Sequence, residues 1–237
     1  MRFFMFAGPI KTFPKRTHNG KDGDTAMSKV VPFRPLEEPL PNTLNGKVPP
    51  RRRLNKDVRS REYLTQDEVE ALMTAAGRFG RHRHRDKTII LVAYRHGLRV
   101  SELISLRWDQ VDLKQGHLHI QRLKRGTPST HPIRGAEIRA LRRLRRDYPD
   151  TPYLFVTERG GPLTASTVRK MVARAGKKAE IEFPVHPHML RHATGFYLAN
   201  QGHDTRAIQH YLGHKQIAHT TRYTELAANR FDKFWSD

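Results

Sequence analysis

The chain has 237 residues, and its 44 Lys and Arg against 23 Asp and Glu give a formal net charge of +21. This positive charge exceeds what solubility requires, and it favours a polyanionic partner, nucleic acid before membrane. The sequence contains no cysteine, which excludes disulfides and thiolate metal sites and fits a reducing cytoplasm. Because no apolar stretch approaches the length of a membrane span, we expect a soluble, cytoplasmic protein with no membrane partner.

Residues 1–60 are predicted to form an extended or disordered arm, because they contain eight prolines and no sustained hydrophobic period. Residues 1–26 show no folding pattern of their own, so Met27 is an alternative start. Six of the eleven residues from 51 to 61 are basic, a density suited to phosphate contacts, although a solvated linker has the same composition. These predicted DNA-binding residues are Arg51, Arg52, Arg53, Lys56, Arg59 and Arg61.

The folded part is predicted to begin with three helices. Residues 65–68, Thr-Gln-Asp-Glu, match a capping box ahead of apolar residues at helical spacing. A second helix over residues 86–96 is apolar on most sides, so we expect it to be the buried central helix. A short helix over residues 98–106 follows. Three short antiparallel strands are then predicted over residues 108–113, 116–122 and 130–133.

Two later helices each combine an apolar stripe with a basic one. The first starts at Gly135, and the second spans residues 164–176. Both basic faces are candidates for DNA contact, with plain solvated surface as the alternative. On the second helix the candidates are Arg169, Lys170 and Arg174. Residues 61–237 are therefore predicted to form a mainly helical α+β domain with a small three-stranded antiparallel sheet.

The C-terminal third contains the candidate site. A predicted helix places His188 and Arg191 three residues apart, so we expect both side chains to project from one face and bind an anion. Residues 204–213 have the pattern of an N-capped helix closed by a glycine, which fixes His214 just past the helix end. Tyr223 follows in a polar segment. These four residues form only part of an anion-binding site, so the rest of the chain must supply another cation.

Four short motifs follow one another along the folded part: Gly97-Leu-Arg-Val-Ser-Glu-Leu103, His188-Met-Leu-Arg-His192, Leu212-Gly-His214 and Thr220-Thr-Arg-Tyr223. They resemble the successive signature boxes of the tyrosine recombinases, the phage-integrase family. Each motif alone is weak evidence, but four in the family's order are strong, and the resemblance spans residues 65–226. The segment around the first motif looks most like the short invertases that switch fimbrial genes.

The resemblance implies a cationic set for phosphate binding. Arg99 and Arg191 match the family's two arginines, and Glu102 matches the acidic residue that steadies the first of them. Lys124 lies on the predicted loop between the second and third strands, where the family keeps its lysine. The implied fold is the tyrosine-recombinase catalytic domain.

The resemblance also implies a nucleophile and two histidines. His188 and His214 match the histidines, and Tyr223 matches the nucleophile. The implied activity is site-specific DNA recombination through a 3′-phosphotyrosine intermediate, with inversion, integration or excision as the outcome.

The chemistry of phosphodiesters supports these assignments. Attack by a phenolic oxygen builds negative charge on the phosphate, and two arginines stabilise that charge without a metal. The reference pKa of tyrosine is about 10, so the nucleophile needs a base, for which His188 is the candidate. The leaving 5′-oxygen needs a proton, for which Lys124 is the candidate acid. Because a phosphotyrosine ester stores the strand, no cofactor is expected.

Ordinary structural roles compete with several assignments. Arg99 beside Glu102 has the pattern of a surface ion pair, and Tyr223 is by default a core tyrosine, although its neighbours give no apolar stripe. We assign His192 to packing or to support of the site. His188 and His192 also have the spacing of a zinc pair, but the residue after His188 is not the glutamate of a zinc peptidase. No metal site is therefore predicted.

Two other functions compete with recombination: a DNA-binding regulator that keeps the fold without cutting, and a type IB topoisomerase. The expected partners are double-stranded DNA with specific recombination sites, three further copies of the chain on paired sites, and DNA-bending accessory proteins. The expected location is the nucleoid. The apolar sequence after Tyr223 predicts a helix starting at Thr224, which either docks in a neighbouring copy as a tether or folds back onto its own core.

Overall fold

The structure is a computed structural model that describes residues 61–122, 127–225 and 227. Helix α1 (Gln66–Arg78) starts at the predicted capping box, where the Thr65 hydroxyl accepts a hydrogen bond from the backbone N–H of Glu68. Helix α2 (Arg83–Arg95) starts earlier than predicted and is buried along most of its length, as its apolar sequence indicates. Helix α3 (Val100–Ser105) follows directly. The three predicted N-terminal helices are therefore present.

The sheet has three antiparallel strands in the order β1 (Val111–Asp112), β2 (His117–Ile120) and β3 (Ser129–Pro132). In the β2–β3 pair, Leu118 lies opposite His131. Leu118 and Ile120 face the interior and are buried, so the same face of the chain continues inward at Arg122. This alternation directs the side chain of Arg122 toward the interior of the domain.

The prediction of a strand over residues 108–113 was wrong for its first half. Trp108–Gln110 form a 3-10 turn, and only the last part pairs as β1. The side chain of Gln110 accepts a hydrogen bond from the backbone N–H of Arg107 at 2.9 Å and donates one to the carbonyl of His119 at 2.8 Å. These two bonds stabilise a turn at the point where a strand would need an extended backbone.

The helices after the sheet are α4 (Gly135–Asp147), α5 (Ala165–Lys178), α6 (Pro187–Asn200), α7 (Thr205–Leu212) and α8 (Ala218–Glu225). Helix α7 is closed at both ends as predicted, because the Asp204 carboxylate accepts hydrogen bonds from two backbone N–H groups and Gly213 adopts a φ of +65°. Helix α8 contradicts the prediction of a helix starting at Thr224, and it also contains Tyr223. It starts at Ala218 and includes both residues.

Two groups of buried apolar side chains stabilise the domain. The main core lies among α1, α2, α4, α5 and the first half of α6, and includes Leu72, Ile90, Leu144, Val172 and Leu190. The small cluster consists of Ala199, Ile208, Leu212, Tyr223 and Ala227, with Phe196, Leu198 and Tyr211 packed against it. None of the helices in the described ranges combines the length and the apolar character needed to cross a bilayer.

Candidate active site

Tyr223 lies in the small cluster with its side chain almost completely buried, at 1% relative exposure. Its hydroxyl is hydrogen-bonded to Nδ1 of His192 at 2.8 Å. The ring also packs edge-on against Phe196, with 5.1 Å between the centroids, and lies nearly parallel to His214 at 6.2 Å. The tyrosine is therefore a packed residue in this state, and its hydroxyl is paired with an imidazole.

Helix α6 forms one wall of the slot that holds this ring. A Cβ atom at Gly195 would lie only 2.5 Å from Cε2 of Tyr223, closer than non-bonded carbon atoms approach one another. His192 and Phe196 stand on either side of this glycine in the sequence. Because only a residue without a side chain fits at this position, the slot matches the tyrosine ring closely.

Arg191 is also buried, at 1% relative exposure, although the sequence predicts that it shares an open face with His188. Its guanidinium donates one hydrogen bond to the carbonyl of Gly97 at 2.5 Å and another to the carbonyl of Leu212 at 2.7 Å. Three motifs that are far apart in the sequence meet at this side chain. Burial, followed by repulsion from Arg99 and Arg122, lowers the pKa of Arg191 to about 9.

Arg99 lies at the start of α3, where its NH1 donates to Oε1 of Glu102 at 2.7 Å. The Arg99 side chain is 30% exposed, whereas that of Glu102 is 1% exposed. The second oxygen of Glu102 accepts a hydrogen bond from NH1 of Arg122 at 2.9 Å. One buried carboxylate is therefore shared by two arginines, and only Arg99 of the two has a substantial solvent-exposed area.

His214 stands just past the C-terminal glycine of α7, as predicted, and is half-buried. Its Nδ1 lies 2.8 Å from the hydroxyl of Thr220, a fully buried residue on α8. A hydrogen bond at Nδ1 fixes the orientation of the ring and leaves Nε2 as the nitrogen available to a ligand. Burial, followed by repulsion from Arg191 and Arg99, lowers the pKa of His214 to about 3.

His188 is accessible to solvent, and its ring packs edge-on against His192, with 4.4 Å between the centroids. Partial burial, followed by Arg191, lowers the pKa of His188. Burial first, and His188 itself second, lower the pKa of His192 to about 3. Burial raises the pKa of Tyr223 despite the opposing effect of the arginines. The nearby histidines are therefore neutral at physiological pH, and the tyrosine is protonated.

The structure brings together the arginines, histidines and tyrosine that the family resemblance singled out, namely Arg99, His188, Arg191, His214 and Tyr223. Glu102 joins them through Arg99. Lys124 lies outside the described residues, as do Arg51, Arg52, Arg53, Lys56 and Arg59. Within the described ranges, no three His, Asp or Glu side chains form a group that would hold a metal ion.

The remaining predicted DNA contacts lie on the surface of the domain. Arg169 and Lys170 are exposed on α5. Arg61 forms an ion pair with Glu68 and lies over the rings of Tyr63 and Phe183, so it contributes to the fold at the start of the domain. Arg174 lies 3.6 Å from the buried carboxylate of Asp86.

Three residues of the site did not follow from the sequence: Arg122, His192 in its contact with the tyrosine, and Thr220. A signal for Arg122 was present, because it continues the inward-facing alternation of Leu118 and Ile120. A charged residue at an inward-facing strand position requires a buried partner. No comparable signal pointed to Thr220.

A tyrosine beside two arginines and two histidines, in a helical domain with a small sheet, is the arrangement expected of the tyrosine-type site-specific recombinases. The protein-family model described as Phage integrase family matches residues 62–230. The chain therefore belongs to the phage integrase family. The type 1 fimbriae regulatory protein FimE of Escherichia coli (strain K12) is 42% identical over 181 residues, which cover 74% of this chain and 91% of FimE.

Solved structures have the same fold. The crystal structure of XerA recombinase superposes with a TM-score of 0.64 at 31% identity, covering 73% of this chain and 63% of that chain. The XerH site-specific recombinase bound to its difH substrate, in a pre-cleavage complex, gives a TM-score of 0.63 at 23% identity over 73% of this chain and 53% of that chain. This chain thus spans less than two thirds of both recombinases.

Proposed function

We propose that this protein cleaves and rejoins DNA at specific sites, with Tyr223 forming a 3′-phosphotyrosine ester as the intermediate. The observation that carries the proposal is the meeting of Tyr223, Arg99, Arg191 and His214 in one small region, although they come from four separate elements. The fimbrial regulator FimE and the recombinase XerA support it as relatives. XerA, which is named a recombinase, favours recombination over a silent regulator or a topoisomerase.

The proposed reaction begins when the phenolic proton of Tyr223 leaves and the oxygen attacks the scissile phosphorus. The bond from phosphorus to the 5′-oxygen breaks, and that oxygen takes a proton, for which Lys124 remains the candidate donor. Arg99 and Arg191 stabilise the negative charge on the non-bridging oxygens, and Nε2 of His214 donates a further hydrogen bond to them. Religation by another 5′-hydroxyl reverses these steps and exchanges the strands.

The proton acceptor is proposed to be the pair of packed histidines, His188 and His192. The sequence favours His188, which is the accessible member of the pair. His192 is the member that contacts the tyrosine hydroxyl. Its pKa of about 3 makes it a weak base on its own. An incoming phosphate adds negative charge beside both rings, which raises the pKa of each and favours proton uptake.

We further propose that double-stranded DNA is the substrate and that four copies act on two paired sites. The exposed basic residues Arg169 and Lys170, together with residues 51–59, are the candidate phosphate contacts, and the sequence after Tyr223 is the candidate tether between copies. DNA-bending proteins and a nucleoid location belong to the same proposal. Light scattering on paired sites measures the assembly directly, and truncation after Leu226 is expected to leave single-site binding while abolishing the paired complex.

A covalent-capture experiment tests the proposed reaction and identifies the target site in the same step. The protein is incubated with sheared host DNA, the mixture is denatured, and protein-linked DNA is recovered and sequenced. The wild type is expected to give a covalent adduct enriched in one sequence family. Tyr223→Phe, which lacks only the nucleophilic oxygen, is expected to give none.

Tyr197→Phe is the matched control, because Tyr197 is exposed on the same helix as His192 and lies outside the site. It is expected to form the adduct at the wild-type level. Persistence of the adduct in Tyr223→Phe would refute the nucleophile. Sequence-specific binding by the wild type without any adduct would instead support the regulator.

A further inference from the structure

Arg122 is a buried arginine at the edge of the candidate site, and none of the family motifs contains it. It lies two residues after the end of β2 and is 7% exposed. Its NH1 donates to Glu102 at 2.9 Å, and its NH2 donates to the backbone carbonyl of Tyr211, next to the motif that carries His214. Its Nε is buried without a hydrogen-bond partner. Arg122 therefore connects the acidic partner of Arg99 to the segment that carries His214.

The same side chain packs against Gly213. A Cβ atom at Gly213 would lie 2.8 Å from Nε of Arg122, and the glycine has a φ of +65°, which other residues rarely adopt. Arg122 thus occupies the space beside the turn that places His214. Two residues further along the chain is Lys124. Within the described residues, two segments of the proposed site, the start of α3 and the turn before His214, meet at Arg122.

The charges around Glu102 show what Arg122 changes. Glu102 Oε1 accepts from Arg99, and Oε2 accepts both from Arg122 and, at 3.0 Å, from the backbone N–H of Arg99. Within the part of the chain that the structure describes, the other guanidinium donors of Arg99 have no protein partner. With Arg122 removed, Glu102 would be free to bind Arg99 through both oxygens, the preferred geometry for an arginine and a carboxylate. The donors of Arg99 would then no longer be available to an anion.

Burial of the Arg122 guanidinium costs desolvation free energy. Desolvation lowers the pKa of Arg122, and the repulsion from Arg99 acts in the same direction, while Glu102 opposes both. Replacing a buried ion pair with apolar residues is often neutral or stabilising, so stability alone does not require an arginine here. A role in the arrangement of Arg99 gives a reason for its presence.

We propose that Arg122 is a positioning residue for the recombination reaction: by occupying one oxygen of Glu102, it keeps the outer donors of Arg99 free to bind the scissile phosphate. This inference rests on the proposed function. Arg122 itself does not touch the DNA. Loss of Arg122 is expected to slow the reaction only through its effect on Arg99. The defect is therefore expected to be larger when the phosphate carries more negative charge for Arg99 to stabilise.

The test compares two substrates built on the site recovered by covalent capture. One is a nicked duplex with the normal scissile phosphodiester, and the other carries a neutral methylphosphonate at the same position. Arg122→Met is expected to slow adduct formation on the phosphodiester by about tenfold to a hundredfold, less than the loss typical of a donor that touches the charge itself. On the methylphosphonate, which carries one negative charge fewer than the phosphodiester both before and during attack, the variant is expected to come within about threefold of wild type.

Arg85→Met is the matched control, because Arg85 is also 7% exposed, is paired with a carboxylate at 2.7 Å and donates to the carbonyl of Val156 at 2.8 Å. It lies outside the candidate site, so any slowing is expected to be the same on both substrates. If Arg122→Met fails to fold, Arg122→Lys keeps a cation near Glu102 but lacks the forked geometry, and the same substrate ratio is measured.

The defects of the Arg122 variants on the two substrates decide whether the inference holds. A larger defect of the Arg122 variants on the phosphodiester than on the methylphosphonate supports the inference. Equal defects on both substrates, or none on either, would overturn it. If the wild type forms no adduct on any DNA, the proposed function fails instead.

Discussion

The main core and the small cluster differ in what they contain and in what they do. The main core is built almost entirely from aliphatic and aromatic side chains between long helices, including Leu72 and Leu144, which are fully buried. The small cluster contains few residues, and one of them is Tyr223, whose polar end contacts His192. Tyr223, the proposed nucleophile, therefore lies in the region that holds the smaller share of the buried apolar residues.

The free energy needed to release Tyr223 from the small cluster follows from its burial and its hydrogen bond. Full burial of one large apolar side chain contributes roughly 1.5–3 kcal/mol, and a typical hydrogen bond contributes about 1 kcal/mol. Releasing Tyr223 from its slot is thus expected to cost a few kcal/mol, an amount that charge-assisted contacts to a phosphate are able to offset. Local opening of the small cluster is then possible while the main core stays folded.

The largest expected effect separates the two regions by stability. Leu72→Ala removes a fully buried side chain from the main core and is expected to lower the free energy of unfolding by roughly 2–5 kcal/mol. Urea titration followed by circular dichroism measures this change. Ala199→Gly, in the small cluster, removes far less apolar area and serves as the comparison. A loss for Leu72→Ala no larger than that for Ala199→Gly would contradict the placement of most of the burial energy in the main core.

Two glycine substitutions test the small cluster and the main core separately, because each adds a methyl group where a neighbouring side chain leaves no space. A Cβ at Gly195 would meet the ring of Tyr223 at 2.5 Å, and a Cβ at Gly176 would meet Cγ2 of Val185 in the main core at 2.7 Å. Gly195→Ala and Gly176→Ala are each expected to destabilise by roughly 1–3 kcal/mol. Only Gly195→Ala is expected to expose Tyr223 to nitration by tetranitromethane, detected by mass spectrometry. If Tyr223 is equally protected from nitration in both variants, the close fit of its ring against Gly195 is contradicted.

The smallest expected effect is the change in stability per pH unit. The pKa of His192 is about 3 in the folded chain, below the ordinary 6.5, so the unfolded chain binds a proton first as the pH falls. The stability contributed by this neutral, buried ring is complete above about pH 6.5 and is lost toward pH 3, at about 1.4 kcal/mol per pH unit. Urea titrations at several pH values measure the slope. His192→Asn, which does not titrate, is expected to flatten the slope by that amount, and an unchanged slope would refute the assignment.

Much of the fold followed from local patterns in the sequence. The capping box at residues 65–68, the Asp204 cap and the glycine at 213 each determine the backbone through contacts within a few residues, so they were predicted correctly. The three-stranded sheet followed from alternation and turn residues, except where Gln110 bonds across the chain and forms a 3-10 turn.

The orientation of the site residues did not follow from spacing. His188 and Arg191 are three residues apart on a helix, an angular separation of about 60°. This is enough to place one ring in solvent and the other side chain inside when the boundary of the core passes between them. The burial of Tyr223 was missed because its apolar partners, Ile208 and Leu212, are on another helix. Such contacts depend on how helices pack, which local pattern does not specify.

The glycine at position 195 has a consequence for the order of events in a reaction cycle. The slot beside it fits the bare ring of Tyr223 so closely that even a methyl group on the glycine would collide. A tyrosine that carries a DNA strand has a phosphate on the very oxygen that meets His192, so it is too large to re-enter. In the proposed reaction, the ring is therefore expected to return only when the strand has been resealed and the hydroxyl restored. The close fit beside Gly195 is thus expected to exclude Tyr223 for as long as the strand break remains.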